Sequence, residues 1–389
     1  MKNKDFLKIF GILVLITIIA FSFTGCSSED LLSEDTIGTA SEKRALTTMK
    51  TYITAVVDHF KGRIYSWDVL NEVFPDGVSA TADWKTVMRS NNPWFKAIGS
   101  DFVYEGFLAA RLADSGAILY YNDYNLDNVG KATMVRNMVR DVNTKYLASD
   151  DKPAGEAAGR LLIEGIGMQS HHNTNVQASS IKNTLDLFKP LGVKISISEL
   201  DVLAQGYSSA LEGANKPPAS GNNLTTQATR YGEYRAVFLQ YTDIIERVTL
   251  WGVTDNQSWR SAGQPLLFDS DGKAKAAYYS FTSTTGSGGD IASLTPMKDS
   301  FSSSFMMGNI FNPSDAPTAS AVTNARLTRH FNVLTAENNM KPSYIAPSQG
   351  QYNFTIADRM VDAARASGFK VVGHTLLWHS QNAAWMNNL

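Results

Sequence analysis

The chain has 389 residues, of which 43% are apolar and 11% aromatic, and its formal net charge is −2. This length and apolar content allow a large core, which fits either one α/β barrel or two ordinary domains. The charges are balanced and contain no run of one sign, so nothing indicates a nucleic acid or an acidic polymer as partner. A neutral chain rich in aromatic residues instead suits a neutral ligand that stacks on rings, such as a sugar.

Residues 1–26 have the pattern of a targeting segment. Basic residues precede Ile9–Phe23, an apolar run of 15 residues, which is short for a membrane span of roughly 20. The run leads into Thr24-Gly25-Cys26, and small residues before a cysteine resemble the lipobox of bacterial lipoproteins, where the cysteine is lipidated. Cys26 is the only cysteine in the sequence, which therefore offers no disulfide and no cysteine-based metal site.

We therefore expect residues 1–26 to be a lipoprotein signal peptide that ends at Cys26, and residues 27–40 to be a tether. A secretory signal with an incidental cysteine and a membrane anchor are the alternatives. Ser27–Asp30 resembles the acidic stretch after the lipidated cysteine in surface-exposed lipoproteins of the Bacteroidetes. The expected location is the outer membrane or cell surface of a Gram-negative bacterium, with membrane contact through the N-terminal lipid.

Helices and strands alternate from about residue 41. Ser41 begins a predicted helix whose apolar residues recur at close to 3.6 residues, and Gly62 ends it. Five predicted strands then follow, each with a helix after it. The strands are Ile64–Val73, Ala117–Leu126, Ile163–His172, Lys194–Val202 and Val248–Asp255, and the helices cover 94–114, 131–146, 177–189, 225–245 and 273–282.

Residues 283–293 interrupt this alternation, and their Gly, Ser and Thr content predicts a flexible linker. Three further strands follow, at Phe305–Phe311, Val333–Lys341 (with its loop) and Lys370–Trp378, with helices over 318–330 and 355–367. The first helix has no strand before it and the last strand has no helix after it. The pattern therefore predicts an α/β fold, a (β/α)8 TIM barrel, as one domain made of residues 41–282 and 294–389. Two α/β domains joined by the linker are the alternative.

Polar or aromatic residues stand at the ends of seven of the eight predicted strands. In a parallel barrel those ends share one face, and active sites lie on that face. The residues are Asn71, Glu72, Asn122, Asp123, Tyr124, Gln169, His171, His172, Glu199, Asp201, Trp251, Asp255, Trp259, Glu337, Asn338, Lys341, His374, Trp378, His379 and Gln381.

Two carboxylates in this set, Glu72 in WDVLNE and Glu199 in ISISELD, indicate a reaction type. Glycoside hydrolysis needs such a pair, because its oxocarbenium-like transition state requires a proton donor on one side and a negative charge on the other. A single glutamate at a strand end is more often an ion-pair or capping residue. Two of them among tryptophans, histidines and amides favour catalysis.

A metal site is the other interpretation of this face. His171 and His172 could bind a metal together with Asp123, but adjacent residues on a strand point to opposite faces. No glycine-rich phosphate loop follows a strand, and no serine has the context of a nucleophile elbow. We therefore expect neither a metal nor a cofactor.

Several longer motifs resemble glycoside hydrolase family 10, the endo-β-1,4-xylanases. WDVLNEVF resembles the acid/base motif of the family and ISISELDV its nucleophile motif. FNVLTAENNMK and VGHTLLWHSQ resemble its glycone-binding strands, and MQSHH and WGVTDNQSW its sixth and eighth strands. The resemblance implies a retaining, cofactor-free endo-β-1,4-xylanase that hydrolyses xylan and xylo-oligosaccharides by double displacement. We expect it to act as a monomer.

The resemblance also implies a role for each matching residue. Glu72 would be the general acid/base and Glu199 the nucleophile, with carboxyls about 5–5.5 Å apart. His171 would hydrogen-bond Glu199, with Asp201 behind it, and so keep Glu199 ionised. Asn71 would hold the sugar 2-hydroxyl. The other substrate-binding positions would be Gln169 and Tyr124 in the catalytic subsite, Trp251 and Trp259 over the bound xylose, and Glu337, Asn338, Lys341, His374, Trp378 and Gln381 around the glycone sugars.

The order of the motifs departs from the family pattern. That pattern runs from the strand of MMGNIF through HTLLWHSQ to WDVLNE and on to WGVTDNQSW, whereas here the second part comes first. The sequence therefore predicts a circular permutation, in which residues 41–282 hold family helix 3 to helix 8 and residues 294–389 hold family strands 1 to 3. The 283–293 linker would join the old ends, and the new ends would lie on the catalytic face.

Two other functions stay open at this point. The barrel could be a non-catalytic or weakly active xylan-binding surface lipoprotein, because the chain is cut at the rim of its groove. It could also be a β-1,4-glucanase, since xylose differs from glucose only in lacking the C5 hydroxymethyl group.

Overall fold

The computed structural model describes residues 39–389. The predicted signal peptide, Cys26 and the tether up to Gly38 lie outside this range. Within it the strands are β1 (Ser66–Asn71), β2 (Ile118–Asp123), β3 (Gly165–Met168), β4 (His171–Asn173), β5 (Lys194–Leu203), β6 (Ile245–Leu250), β7 (Met306–Phe311), β8 (Val333–Ala336) and β9 (Lys370–Leu377).

The helices in the same range are α1 (Ala40–His59), α2 (Pro93–Ile98), α3 (Phe102–Ala113), α4 (Val129–Ala148), α5 (Ala178–Phe188), α6 (Leu224–Phe238), α7 (Ala276–Thr282), α8 (Met297–Ser300), α9 (Ala325–His330), α10 (Pro342–Ile345) and α11 (Thr355–Ala366). Across residues 39–389, none of the helices combines the length and apolar character needed to cross a bilayer.

The strands form one closed parallel barrel. Its order is β1, β2, β3, β5, β6, β7, β8 and β9, and β9 pairs again with β1. β4 extends β3 beyond Ser170, whose φ of 62° interrupts the strand, and pairs with β5. The predicted (β/α)8 TIM barrel is confirmed. Two separate domains are excluded, because β6 pairs with β7 and β9 with β1 across the two halves of the sequence.

Aromatic side chains of two strands pack over glycines of the neighbouring strands. A Cβ atom on Gly373 in β9 would lie 2.2 Å from the ring of Trp67 in β1, and one on Gly165 in β3 would lie 2.2 Å from the ring of Tyr120 in β2. Both aromatic side chains are fully buried. These two glycines are therefore required by close packing against the rings.

The first helix completes the outer layer between β9 and β1. Lys50 in α1 pairs with Glu105 in α3 at 2.5 Å. On its other side the His59 ring stacks on Phe354 with centroids 3.7 Å apart. Arg63, just beyond α1, contacts Asp358 in α11 at 2.8 Å. α1 thus lies between α3 and α11, where a helix following β9 would otherwise lie.

The C-terminal turn packs against this same helix. The Trp385 ring meets Tyr52 of α1 and Trp94 of α2 edge to face, each with centroids 6.3 Å apart. Its indole nitrogen donates to the carbonyl of Ala346 at 2.8 Å, and Met386 beside it is fully buried. The two ends of the described chain are therefore held against each other.

Three predicted helices differ most from the structure. The helix predicted over 318–330 is wrong before residue 325, because Thr318 and Ala321 pair as a turn and Asn324 caps the helix that starts at Ala325. The helix predicted over 94–114 is divided into α2 and α3 at Gly99, which has φ 73°. The helix predicted over 225–245 ends at Phe238, after which β6 begins at Ile245.

The predicted linker, residues 283–293, makes specific contacts with the barrel. Gly289 accepts from the amide of Ala274 at 2.8 Å and donates its own amide to the Tyr279 hydroxyl at 3.0 Å. The side chain of Ile291 is buried, and its carbonyl contacts His330 Nε2 at 2.7 Å. The segment therefore follows the protein surface between α7 and α8.

We expect Trp385→Ala to lower the free energy of unfolding by about 2–4 kcal/mol, because it removes a large ring from the contact between α1, α2 and the C-terminal turn. Leu389→Ala is the control, since that side chain is 38% exposed. Urea denaturation measures both. Equal stabilities of the two variants would show that the C-terminal turn does not hold α1 in place.

Candidate active site

A cavity of about 860 Å³ lies at the carboxyl ends of the strands. It is lined by all fourteen residues predicted to be catalytic or substrate-binding: Asn71, Glu72, Tyr124, Gln169, His171, Glu199, Trp251, Trp259, Glu337, Asn338, Lys341, His374, Trp378 and Gln381. Asp201, predicted to support them, is fully buried behind the wall. The structure thus brings together residues from both parts of the sequence.

Glu199 is a buried carboxylate with two polar partners. Its Oε1 accepts from the amide of Asn122 at 2.8 Å, and its Oε2 lies 3.0 Å from Nε2 of His171. Burial acts to raise the pKa of Glu199, but the His171 hydrogen bond, neighbouring His374 and the Asn122 amide outweigh it, so the pKa lies below its ordinary value. Glu199 is therefore held as an anion.

His171 links Glu199 to a second buried carboxylate. Its Nδ1 lies 3.0 Å from Oδ2 of Asp201, so each ring nitrogen faces a carboxylate oxygen. Burial acts to lower the pKa of His171, but Asp201 and Glu199 together raise it to about 9. With both nitrogens donating, the imidazolium form fits this position at neutral pH.

Asp201 is kept ionised by residues from the loop after β6. Arg260 donates to its Oδ1 at 2.5 Å and the indole of Trp259 to its Oδ2 at 3.1 Å. Burial acts to raise the pKa of Asp201, but Arg260 and His171 lower it overall. Arg260 was not among the predicted site residues, although it directly follows the predicted Trp259 in the sequence.

Glu72 occupies an unusual backbone conformation at the end of β1. Its φ is 56°, which costs about 1–3 kcal/mol for a residue other than glycine. Hydrogen bonds on both sides hold the turn: its amide donates to Asn122 O at 2.9 Å and its carbonyl accepts from Arg89 Nε at 2.9 Å. The strained turn directs the carboxylate into the cavity, where Oε1 accepts from Gln169 at 3.0 Å.

Three amide side chains connect the two glutamates. The side-chain amide of Asn71 lies 3.0 Å from Nδ2 of Asn122 and 3.1 Å from Nε2 of Gln169. Those same amide nitrogens also donate to Glu199 and Glu72 respectively. Both carboxylates are therefore positioned by one hydrogen-bond network. Asn122 belongs to this network; it was among the polar residues at the predicted strand ends, but no role was predicted for it.

Two cationic side chains near Glu72, Lys131 and Arg89, were also absent from the predicted site. Lys131 Nζ lies 2.8 Å from Asp123 and 3.6 Å from the centre of the Tyr124 ring, and Arg89 donates to the Tyr124 hydroxyl. Burial and the neighbouring cations lower the pKa of His379 to about 4. A neutral His379 therefore stands 3.8 Å from Oε2 of Glu72.

Lys341 organises the far end of the cavity. Its Nζ donates to Gln381 at 2.7 Å and Asn338 at 3.1 Å, and it lies 5.1 Å from the centre of the Trp378 ring. Burial lowers its pKa. Nearby, Glu337 accepts from Asn312 at 2.7 Å. This end offers an aromatic face surrounded by donors and acceptors, which suits a sugar ring.

Among residues 39–389, no group of three or more His, Cys, Asp or Glu side chains is arranged to hold a metal ion. His171 is engaged on both ring nitrogens by carboxylates. The polar side chains of the cavity thus hydrogen-bond to one another or face the open groove.

Comparison with known proteins places the chain in a family. The family model described as "Glycosyl hydrolase family 10" matches residues 30–284 and 296–389, so the chain belongs to glycosyl hydrolase family 10. Endo-1,4-beta-xylanase A of Thermotoga maritima is 34% identical over 259 residues, which is 64% of this chain and 22% of that protein. Endo-1,4-beta-xylanase of Geobacillus stearothermophilus is 32% identical over 242 residues, 60% of this chain and 66% of that protein.

Among solved structures, a bacterial Ig-like domain-containing GH10 xylanase from termite gut is 56% identical to this chain. The match covers 62% of this chain and 54% of that one, with a TM-score of 0.58. The chain thus spans less than two thirds of the length of each of these relatives.

We expect the His171 ring to remain protonated up to a pH of about 9, while His172, whose pKa burial lowers to about 4, stays neutral. Because the pKa of His171 is raised above its ordinary 6.5, its stabilising contribution is complete below pH 6.5 and lost as the pH rises through about 9. Nitrogen-detected NMR of the two rings measures this. Titration of His171 near 6.5 would contradict the ion pairing.

Proposed function

We propose that the protein is a retaining endo-β-1,4-xylanase that hydrolyses internal β-1,4-xylosidic bonds of xylan. The observation that carries the proposal is that the two glutamate side chains have different polar surroundings. Glu199 is held ionised by His171 and Asn122, whereas the carboxylate of Glu72 accepts from the amide of Gln169 and lies 3.8 Å from a neutral His379. A retaining mechanism requires one carboxylate as nucleophile and a second carboxyl as general acid/base.

In the first step Glu199 attacks the anomeric carbon while Glu72 gives its proton to the leaving glycosidic oxygen. The C–O bond to the aglycone breaks and an ester bond to Glu199 forms. His171, bonded to both Glu199 and Asp201, fixes the attacking oxygen in place. In the second step Glu72, now a carboxylate, takes a proton from water, and the water oxygen displaces Glu199.

The surrounding residues bind the sugar. Asn71 is placed by Asn122 and Gln169 to receive the 2-hydroxyl of the reacting xylose, an interaction that strengthens in the transition state. Trp251 and Trp259 pack edge to face on the His171 ring and offer apolar cover. Lys341, Gln381, Asn338 and Trp378 would hold the glycone sugars.

The extent of the groove supports cleavage at internal bonds of a polysaccharide. Its lining includes residues from well-separated strand ends of the barrel: Glu337 after β8, Gln381 after β9, and Tyr207 and Glu212 in the loop after β5. Tyr207 is 60% exposed, so its ring is accessible to substrate. Sugars can thus be bound on both sides of the scissile bond. The relatives named as endo-1,4-beta-xylanases support the choice of xylan.

We also propose that the barrel is circularly permuted relative to its family. The family model matches in two stretches, and the two curated relatives align with only 60–64% of this chain. Both findings fit a chain whose second part belongs before its first. We keep as a further proposal that Cys26 is lipidated and places the enzyme on the cell surface.

Glu199→Ala and Glu72→Ala should each abolish most reducing-sugar release from xylan, with kcat falling by roughly 10⁴-fold or more for the nucleophile. Glu233→Ala is the matched control, because this carboxylate lies on α6, outside the cavity lining, and pairs with Arg230. It should retain most of the activity. Release of sugar by Glu199→Ala at the wild-type rate would defeat the assignment.

A further inference from the structure

The backbone turn at Glu72 and Val73 has each of its polar groups hydrogen-bonded. Glu72 donates its amide to the carbonyl of Asn122 at 2.9 Å, and Val73 donates its amide to the Tyr121 hydroxyl at 3.1 Å. Both carbonyls accept from Arg89: that of Glu72 from Nε at 2.9 Å, and that of Val73 from the backbone amide at 2.8 Å. One residue therefore supplies the donors for both carbonyls of the turn.

The turn needs such support, because Glu72 has a φ of 56°. A left-handed conformation costs a residue with a Cβ about 1–3 kcal/mol and persists only where the surroundings determine it. Glycine would adopt this conformation without strain, but under the proposed function the position must carry a carboxyl group. If the backbone relaxed to an ordinary negative φ, the carboxyl would leave its place beside the amide of Gln169. The hydrogen bonds to the turn thus decide where the carboxyl of Glu72 lies.

Arg89 stands on a loop that is anchored on both sides of it. Before it, the side chain of Met88 is buried, and the indole of Trp84 donates to Asp141 in α4 at 2.9 Å. After it, the side chain of Asn92 caps α2 by accepting from a backbone amide at 3.0 Å. The loop can therefore hold the arginine in a fixed position against the turn.

The guanidinium of Arg89 has a second partner, on the wall of the active-site cavity. One of its terminal nitrogens donates to the Tyr124 hydroxyl, and its central carbon lies 5.5 Å from the centre of that ring. Tyr124 lines the cavity, whereas Arg89 lies behind the lining. A guanidinium presents its donors in a rigid fork, whereas a lysine has one ammonium group on a flexible stem. Arg89 thus fixes the turn at Glu72 relative to the wall that Tyr124 forms.

We propose that Arg89 is a positioning residue for proton transfer: it holds the backbone of Glu72 in the left-handed conformation, so that the carboxyl reaches the leaving-group oxygen. This inference rests on the proposed function. Arg89 takes no part in the hydrogen bonds that Glu199 makes to His171 and Asn122. Loss of Arg89 should therefore impair proton transfer by Glu72 and leave nucleophilic attack by Glu199 intact.

The test uses Arg89→Met, Arg89→Lys and Tyr121→Phe, which removes the hydroxyl bonded to the turn. Arg329→Met is the matched control, because this partly buried arginine also donates to a loop carbonyl, that of Leu294, and is absent from the cavity lining. Each variant is assayed for kcat/KM on xylohexaose and on 2,4-dinitrophenyl β-xylobioside. Dinitrophenolate leaves without being protonated, so its release requires Glu199 but no acid.

We expect Arg89→Met to lower kcat/KM on xylohexaose by about 100-fold, the effect of displacing a reacting group by about 1 Å, and to leave kcat/KM on the dinitrophenyl substrate unchanged. Arg89→Lys and Tyr121→Phe should show the same selectivity with smaller losses. Azide should raise kcat of Arg89→Met on the dinitrophenyl substrate and yield β-xylobiosyl azide. Azide bonds to the anomeric carbon and displaces the Glu199 carboxylate without needing a base.

Equal losses on both substrates, or values equal to those of Arg329→Met, would overturn the proposal. If circular dichroism shows that Arg89→Met does not fold, the two milder variants decide by the same ratio of losses. If the wild type hydrolyses neither substrate, the proposed function fails, and crystal structures of the wild type and Arg89→Met decide the inference instead. A changed φ at Glu72 with a displaced carboxyl would support it, and an unchanged turn would overturn it.

Discussion

The chain of charges Glu199–His171–Asp201–Arg260 is the constraint on which the active site depends. A buried carboxylate is costly unless an opposite charge and hydrogen bonds compensate it. Here each charge has an opposite neighbour within 2.5 to 3.0 Å. Two carboxylates can therefore remain ionised in a wall that is almost closed to solvent. The nucleophile proposed here is an anion because His171 is a cation, and His171 is a cation because Asp201 lies behind it.

This chain of charges follows from the strand register. Glu199 and Asp201 are two residues apart in β5, so their side chains point to the same face. β4 pairs with β5 so that His171 lies opposite Asp201. The break at Ser170 shifts the pairing with β5 by one residue, from Met168 opposite Ile197 to His171 opposite Asp201. The loop after β6 then supplies Trp259 and Arg260. A local irregularity of the barrel thus places the imidazole between the two carboxylates.

Much of this arrangement could be predicted from the sequence. The alternation of strands and helices defined the barrel, and the shared face of parallel strand ends explained why residues as distant as Glu72 and Gln381 would meet. Arg89, Arg260 and Asn312 were missed because each lies outside a strand and acts through a partner far away in sequence. The helix predicted over 318–330 was wrong in its first half, because the local turn at Thr318–Ala321 and the cap at Asn324 decide where it begins.

The proposed mechanism requires a covalent bond between Glu199 and the sugar, with Glu72 as acid/base. Incubation with a 2-deoxy-2-fluoro-xylobioside carrying a good leaving group tests it directly, because the fluorine slows hydrolysis of the intermediate more than its formation when the leaving group is activated. We expect mass spectrometry to find one fluoro-xylobiosyl group, on the peptide that contains Glu199. Labelling of another residue, or inactivation with no covalent adduct, would rule out Glu199 as the nucleophile.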